Sequence, residues 1–490
     1  MTNPLHRLAR QFAHFVGGGT LGLLLSLITF PILTRLLSRD DYGMLGLVVN
    51  TVSFAVVLAK AGLSDGIIRF YREYAGSPER LTVFTSTIIV RGTAFALAAC
   101  AAYTLLVPYI LPWLGIDARY LACFYVMAPY LLVRPANIVV MNVLRARGLT
   151  LRYNAVNIIG KALSIGLGFF LLMVVIGQLY GYILGTAIAE ICAFAALLWW
   201  YFGNYGFHPS RTSGALALKL IHFGLPLLLT ELAYLLLNAV DRYLIVAFYG
   251  EGTLGLYSVG YNVPSYINEL LMFSLSYAIV PIFTNLYVTE GRERTEEFLS
   301  SALRYYLVGV IPLCVGYYAV STDMIVTLAS TKYADAASFS PIVLVARVIL
   351  GVNSIIGAGL YLEKKTLQTL AIMLTVVAIN VVANLLMLPH YQVAGAAYAL
   401  LVACVASCAL TAVLSFRYIR VRVDLRSVAF YAAVSALMYF AVAPIETGSA
   451  WVNLLCKTAV GTLIVTAAVL AKEPEARRLL RWRAGGASPR

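Results

Sequence analysis

Residues 223–264 read FGLPLLLTELAYLLLNAVDRYLIVAFYGEGTLGLYSVGYNVP. From Phe223 to Tyr249 the only charged side chains are Glu231, Asp241 and Arg242. A run that long and apolar crosses a hydrocarbon core of ~30 Å at about 1.5 Å per residue. Gly250-Glu251-Gly252 interrupts it, and a second apolar run opens at Gly255. This stretch therefore holds two membrane spans joined by a short turn.

The rest of the chain repeats the pattern. Of 490 residues, 61% are hydrophobic and 12% charged, with a mean hydropathy of +0.85. About a quarter of an average soluble domain is charged. No soluble core hides so much apolar side chain, so lipid must act as solvent for most of it. Cutting at charge clusters predicts an all-α polytopic membrane protein of about fourteen spans. They are 13–37, 43–62, 83–107, 120–143, 154–177, 181–203, 220–249, 255–286, 303–320, 340–361, 368–388, 394–416, 428–443 and 451–471. The first run is too long for a signal-peptide core and has no A-x-A site behind it, so it reads as a retained helix. The seven cysteines all fall inside apolar runs, where they read as small packing residues rather than a disulfide or metal framework.

The net charge of +14 sits in short loops, where topology explains it without nucleic acid. With a cytoplasmic N-terminus, the inner loops and tail carry 25 of the 36 basic residues, and the outer edges only Arg35, Arg39, Arg119 and Lys332. One missed span would scramble that asymmetry, so both termini are expected inside.

Two sequence echoes suggest a repeat. His14-Phe15 and His222-Phe223 open helices one and seven; Leu45-Gly46-Leu47 and Leu254-Gly255-Leu256 open helices two and eight. The implied organisation is a six-helix lobe over 1–212, a second over 213–426, two extra helices over 427–471 and a basic cytoplasmic tail over 472–490. Repeats of six helices share one orientation, a pattern of transporters that rock around a central substrate.

Seven basic residues remain inside spans: Lys60, Arg91, Arg134, Lys161, Arg242, Arg347 and Lys457. A central charge costs roughly 2.5–3.5 kcal/mol even on the lenient insertion scale. Lys60, Arg347 and Lys457 lie within two turns of a span end and are expected to snorkel. Arg91, Arg134 and Lys161 lie deeper and are expected to face water. Polar stripes at helical spacing accompany them: Asn154, Asn157, Lys161 and Ser164; Arg134, Asn137 and Arg145; Glu231, Tyr234, Asn238 and Asp241; Asn262, Ser265, Glu269 and Ser276. Each alone could be interhelical hydrogen bonding, but together they suggest a hydrated path.

A cationic lumen of Arg91, Arg134 and Lys161 with Asn157 suits a phosphate or pyrophosphate headgroup or acidic sugars. Glu231, Glu269, Asp241 and Glu190 are candidates for a driving cation, a proton or sodium ion. Tyr257, Tyr261 and Tyr266 line up along helix eight and could stack on sugar rings. No metal spacing, nucleophile motif or ATP-binding segment appears, and no cofactor or catalytic residue is expected.

At the level of motifs the chain resembles the polysaccharide-transporter (Wzx-type O-antigen flippase) branch of the multidrug/oligosaccharidyl-lipid/polysaccharide (MOP) exporter superfamily. The resemblance rests on FPILTRLLSRDDYGMLGLV (30–48), on residues 223–264 quoted above and on LPHYQVAGAAYALLVA (388–403). It covers roughly residues 10–420, and the Asp241-Arg242 pair followed by Gly255-Leu256-Tyr257 is its most specific part. It implies two six-helix lobes in an inverted V and alternating access, driven by an ion gradient. The implied cargo is an undecaprenyl-pyrophosphate-linked oligosaccharide, moved to the outer leaflet of a bacterial inner membrane for O-antigen or exopolysaccharide synthesis. Polysaccharide polymerase and chain-length proteins are implied partners. Arg35, Asp241 and Arg242 match family positions. In related lipid II flippases two extra helices form a groove for the lipid tail, a role open to helices thirteen and fourteen. Two alternatives stand: a small-molecule or multidrug antiporter of the same superfamily, and a membrane-embedded polymerase or ligase, against which the short outer loops argue.

Overall fold

A computed structural model describes residues 21–204 and 207–473. His14-Phe15, Arg7, Arg10 and the basic tail beyond Glu473 lie outside the described residues. Among the described residues every regular element is helical.

The main helices are α1 (Leu21–Leu36), α2 (Arg39–Lys60), α3 (Leu63–Tyr74), α4 (Pro78–Trp113), α5 (Leu121–Tyr125), α6 (Ala128–Ala146), α7 (Thr150–Phe170) and α8 (Leu179–Asn204). They continue with α9 (Gly214–Thr289), α10 (Arg292–Leu328), α11 (Ser340–Ile356), α12 (Ala358–Leu362), α13 (Thr366–Ser415), α14 (Leu425–Val442) and α15 (Ala450–Lys472). Ten helices are long and apolar enough to cross a membrane, and the pair Thr331–Ser338 and Ser340–Ile356, bent by 57°, makes an eleventh. Two of the ten are double-length: α9 breaks at Gly250 and α13 at Gln392. Divided there, and with the shorter apolar α1 added, the described residues hold fourteen apolar helical segments. Each corresponds to one of the fourteen expected spans. The break in α9 falls where the sequence demands it: Gly250 has φ +78°, a conformation only glycine adopts without strain.

One element was not foreseen. The residues after the second span form α3, whose Leu63, Ile67 and Tyr71 share a face at one-turn spacing and are buried, while Arg69 and Arg72 are exposed. It packs into an aromatic and aliphatic core with Phe84, Ile88, Val140, Leu144 and Tyr201. Arg147 donates from Nε to the Tyr71 hydroxyl at 2.8 Å.

The chain divides into two compact units: Met1–Ser258 with Thr366–Ala399, and Val259–Lys365 with Leu400–Arg490. This division does not coincide with the sequence repeat at 212/213. The repeat describes sequence; the units describe packing. Residues 214–258 belong to the first unit because backbones touch: a Cβ on Gly224 would strike the backbone of Gly62, and one on Gly43 would strike Gly255 and the Glu251 carbonyl. Glycine permits that close approach between helices in lipid, where hydrophobic burial supplies little association energy. The second echo pair of the repeat, the openings of helices two and eight, is thus a packing contact inside one unit.

In the second unit α10 carries the packing, with α11, α14 and α15 against it. At one end of α10, Arg304 reaches Glu473 at 2.6 Å and Asp424 at 3.6 Å. Toward the other end, Lys457 of α15 pairs with Asp323 at 2.7 Å.

Candidate functional site

The first unit contains a cavity of about 620 Å³ lined by α2, α6, α7, α8 and the first half of α9. A second space of about 340 Å³ shares Arg134, Lys161, Ser164 and Glu190 with it and adds Asn137 and Asn157. The two share this charged wall, while Leu45, Val48, Val52 and Val56 of α2 line the larger one with aliphatic surface. Their combined charged lining is Lys60, Arg134, Lys161, Glu190 and Glu231, an excess of one positive charge. Arg134 and Asn137 reach it because both lie on one face of α6, and Asn157, Lys161 and Ser164 because they recur at helical spacing on α7.

The bases are held by specific partners. Lys60 Nζ sits 2.6 and 2.7 Å from the two oxygens of Glu231. Arg134 Nη1 lies 3.4 Å from Glu190 Oε2, a looser contact. Lys161 donates to the Gly22 carbonyl and to Ser26 Oγ at 2.7 Å on α1. Asp65, in the first turn of α3 beside Lys60 and Glu231, keeps a buried oxygen without a hydrogen-bond partner among the described residues. Burial pushes its carboxyl above the usual carboxylate range, against the pull of Lys60.

Several expectations need correction. Lys60 does not snorkel: its side chain is 9% exposed and bound to Glu231. Lys457 is likewise buried and bound to Asp323. Arg347 is buried in the second unit, over the Tyr261 ring and donating to its hydroxyl. Arg91 is exposed on α4 and lines neither space, because the buried face of that helix runs through Ile88, Gly92 and Ala96. Arg35 is exposed and donates to the Pro31 carbonyl at 3.0 Å. Asp241 and Arg242 are both buried, but away from these walls. Asp241 accepts from the Tyr257 hydroxyl and from the Arg242 backbone at 2.9 Å, while Arg242 Nη1 donates to the Asn238 carbonyl at 3.2 Å. Glu269 is exposed on the part of α9 that belongs to the second unit. Tyr257 and Tyr261 are too buried to offer a ring to a ligand.

Sequence reasoning missed Lys60 as a member of this wall. Its signal was an acid inside a span, Glu231, with no partner on its own helix.

Comparison with known proteins agrees with this architecture. The lipid II flippase MurJ, in an inward closed conformation, superposes with a TM-score of 0.75 at 16% identity, over 96% of this chain and 99% of that one. An inward-facing multidrug resistance MATE family transporter of the MOP superfamily gives 0.68 at 14% identity, over 81% and 94%. A MOP superfamily transporter from Pyrococcus furiosus, described by the reverse polarity of its binding pocket, gives 0.58 at 14% identity, over 83% and 95%. No curated protein matches the chain in sequence. At these identities the superpositions establish the fold. The family model of a polysaccharide biosynthesis protein matches residues 8–287, more than half of the chain. The chain belongs to that family, and it shares the all-helical polytopic fold of these solved transporters.

Proposed function

We propose that this protein is a flippase rather than an enzyme. It moves an undecaprenyl-pyrophosphate-linked oligosaccharide from the cytoplasmic to the outer leaflet of a bacterial inner membrane by alternating access. The observation that carries the reading is the charged cavity of the first unit: Arg134, Lys161 and Lys60 on one wall inside membrane-spanning helices. Intramembrane bases around a polar space suit a pyrophosphate, which accepts several charge-assisted hydrogen bonds at once. Asn157 adds a neutral donor on the same wall. The family match supports a place in polysaccharide biosynthesis, and the likeness in fold to a lipid II flippase supports a lipid-linked cargo. Delivered outside, the unit would pass to polymerase and chain-length proteins.

The ion pairs supply a route to coupling. Glu231 and Glu190 occupy the bases that the pyrophosphate needs. A proton or sodium ion on either carboxylate frees its base for the cargo, and by linkage the cargo raises the affinity of that carboxylate for the ion. Asp65, already displaced toward its protonated form, stands next to the first pair.

Deleting the gene tests the reading: lipid-linked repeat units should accumulate on the cytoplasmic side of the membrane. Unchanged lipid-linked intermediates with normal surface polysaccharide would overturn it. A small-molecule antiporter is the second reading, favoured by the fold shared with MATE transporters and by the two acids on the wall. Altered drug susceptibility with intact glycans selects it.

A further inference from the structure

The second unit carries a separate open recess of about 500 Å³. Three elements meet there: the C-terminal turns of α10, the C-terminal end of α14, and the short helical segment Thr331–Ser338 that enters α11. Its lining is distinctive. Tyr318 and Tyr439 supply aromatic faces; Ser321, Thr322 and Ser338 supply hydroxyls; Asp335 supplies one carboxylate; four alanines complete the floor. Among the described residues no Leu, Ile, Val, Met or Phe lines it, and no Lys or Arg does either.

That composition selects a class of ligand. An acyl chain would want branched aliphatic walls, and a phosphate would want a base. A neutral pyranose wants what is present. Its C–H face stacks on an aromatic ring, and its hydroxyl rim pairs with hydroxyls and a carboxylate. Tyr318 is 59% exposed, and the two tyrosine rings lie 5.7 Å apart at 40°, as two inclined walls rather than a closed stack. The size falls within the range of small-ligand sites, about 300–1,000 Å³.

The frame is rigid where the lining is open. Tyr333, Ala336 and Phe339 anchor the Thr331–Ser338 segment and its exit in the core, and the Tyr317 hydroxyl bonds Ser340 Oγ at 2.5 Å. One residue beyond Thr322, Asp323 receives Lys457 Nζ at 2.7 Å and Asn453 Nδ2 at 3.2 Å from α15. Asn453 in turn holds the backbone and hydroxyl of Thr447, each at 2.7 Å. Aromatic and hydroxyl groups are thus presented from a fixed scaffold, which lowers the ordering cost of binding.

We infer that this recess is a carbohydrate-binding ledge for a neutral sugar unit. With the cytoplasmic N-terminus read from the basic loops, it faces the outside, where an arriving glycan first meets water. The inference rests on the flippase reading only for what the sugar belongs to.

The test uses the full chain in phosphatidylcholine nanodiscs. Methyl α-glucopyranoside, methyl α-galactopyranoside and methyl N-acetylglucosaminide are titrated in turn and followed by saturation-transfer NMR. At least one should bind. Y318A should weaken it about tenfold, the scale of one lost aromatic contact. D335N should weaken it less, and L437A, on an exposed position of α14, should not weaken it. Binding of none of the three sugars, or equal binding by Y318A and wild type, overturns the ledge. Contact of Tyr318 with brominated lipid in place of sugar overturns it as well and assigns the recess to headgroups. No sugar binding by the wild-type chain, where gene deletion still makes lipid-linked intermediates accumulate, sinks the ledge alone. Sugar binding retained where gene deletion leaves lipid-linked intermediates unchanged upholds the ledge and sinks the flippase reading alone.

Discussion

Two lysines that look alike in sequence do different work in the two units. Lys60 and Lys457 each lie near a span end, and each pairs with an acid far along the chain: Glu231, 171 residues away, and Asp323, 134 residues away. The difference is in the acid. Glu231 is 38% exposed on the wall of a polar cavity, whereas Asp323 is 13% exposed and further bound by Asn453. A pair whose acid stands open on a cavity wall can exchange partners; a pair whose acid is buried and held again by Asn453 keeps its place. On the proposed flippase reading, the first serves transport and the second holds the helices together.

The largest effect should come from the sealed pair. D323A leaves the Lys457 ammonium buried without its counter-charge, a loss of about 3–5 kcal/mol. Thermal unfolding in detergent should drop sharply, and adding K457M should recover most of it. A single variant as stable as wild type would erase the contrast between the two lysines.

Next in size is a functional effect on the open wall. R134Q and K161Q should lower flipping strongly while membrane abundance stays near wild type, because neither change strands a buried acid: Glu190 is partly exposed at 22%. Abundance lost in step with flipping would make these bases structural, like Lys457. E231Q sharpens the same point. Its stability cost should be smaller than that of D323A, because Gln keeps an oxygen within reach of Lys60, which is itself only 9% exposed. Yet initial flipping rates should lose their dependence on the imposed proton or sodium gradient. Retained dependence would move the coupling elsewhere, with Glu190 and Asp65 the next carboxylates to replace.

The contrast also measures what the sequence could disclose. The fourteen spans were legible because each apolar run is long and charge-punctuated, and the kink after Tyr249 was written in Gly250. Arg134, Lys161 and Asn157 were legible because polar residues at helical spacing stand out among leucines. Arg91 was not: α4 is apolar all round, so nothing in the sequence says which face meets lipid. The partners of Lys60 and Lys457 were illegible for another reason. Nearness to a span end fits snorkelling and pairing equally well, and the choice depends on tertiary contacts between distant helices. Counting acids inside spans would have helped with Lys60, since Glu231 implies a base, but Asp323 falls three residues past the expected span 303–320 and gave no such signal. The ledge residues Tyr318 and Tyr439 look like ordinary interfacial tyrosines until the bend before α11 brings Asp335 beside them.

The smallest effect lies at the other end of the helices that Lys457 clamps. Asp424 caps α14, accepting from the Ser427 hydroxyl at 2.7 Å and from the backbone of Arg426 at 3.1 Å and Ser427 at 3.2 Å. The Ser427 hydroxyl, then its backbone N–H, hold the carboxyl below the usual carboxylate range. A depressed folded-state value means the cap contributes fully above the unfolded carboxylate value of about 3.9 and is lost as pH falls through the folded value. Hydrogen exchange at Arg426 and Ser427 should therefore be flat from neutral pH downward, apart from the intrinsic exchange rate, and should quicken only below about pH 4. D424N should remove that acid step. An acid step that survives in D424N would come from another carboxylate, with Glu473, 2.6 Å from Arg304 and 3.3 Å from the Tyr431 hydroxyl of α14, the first place to look.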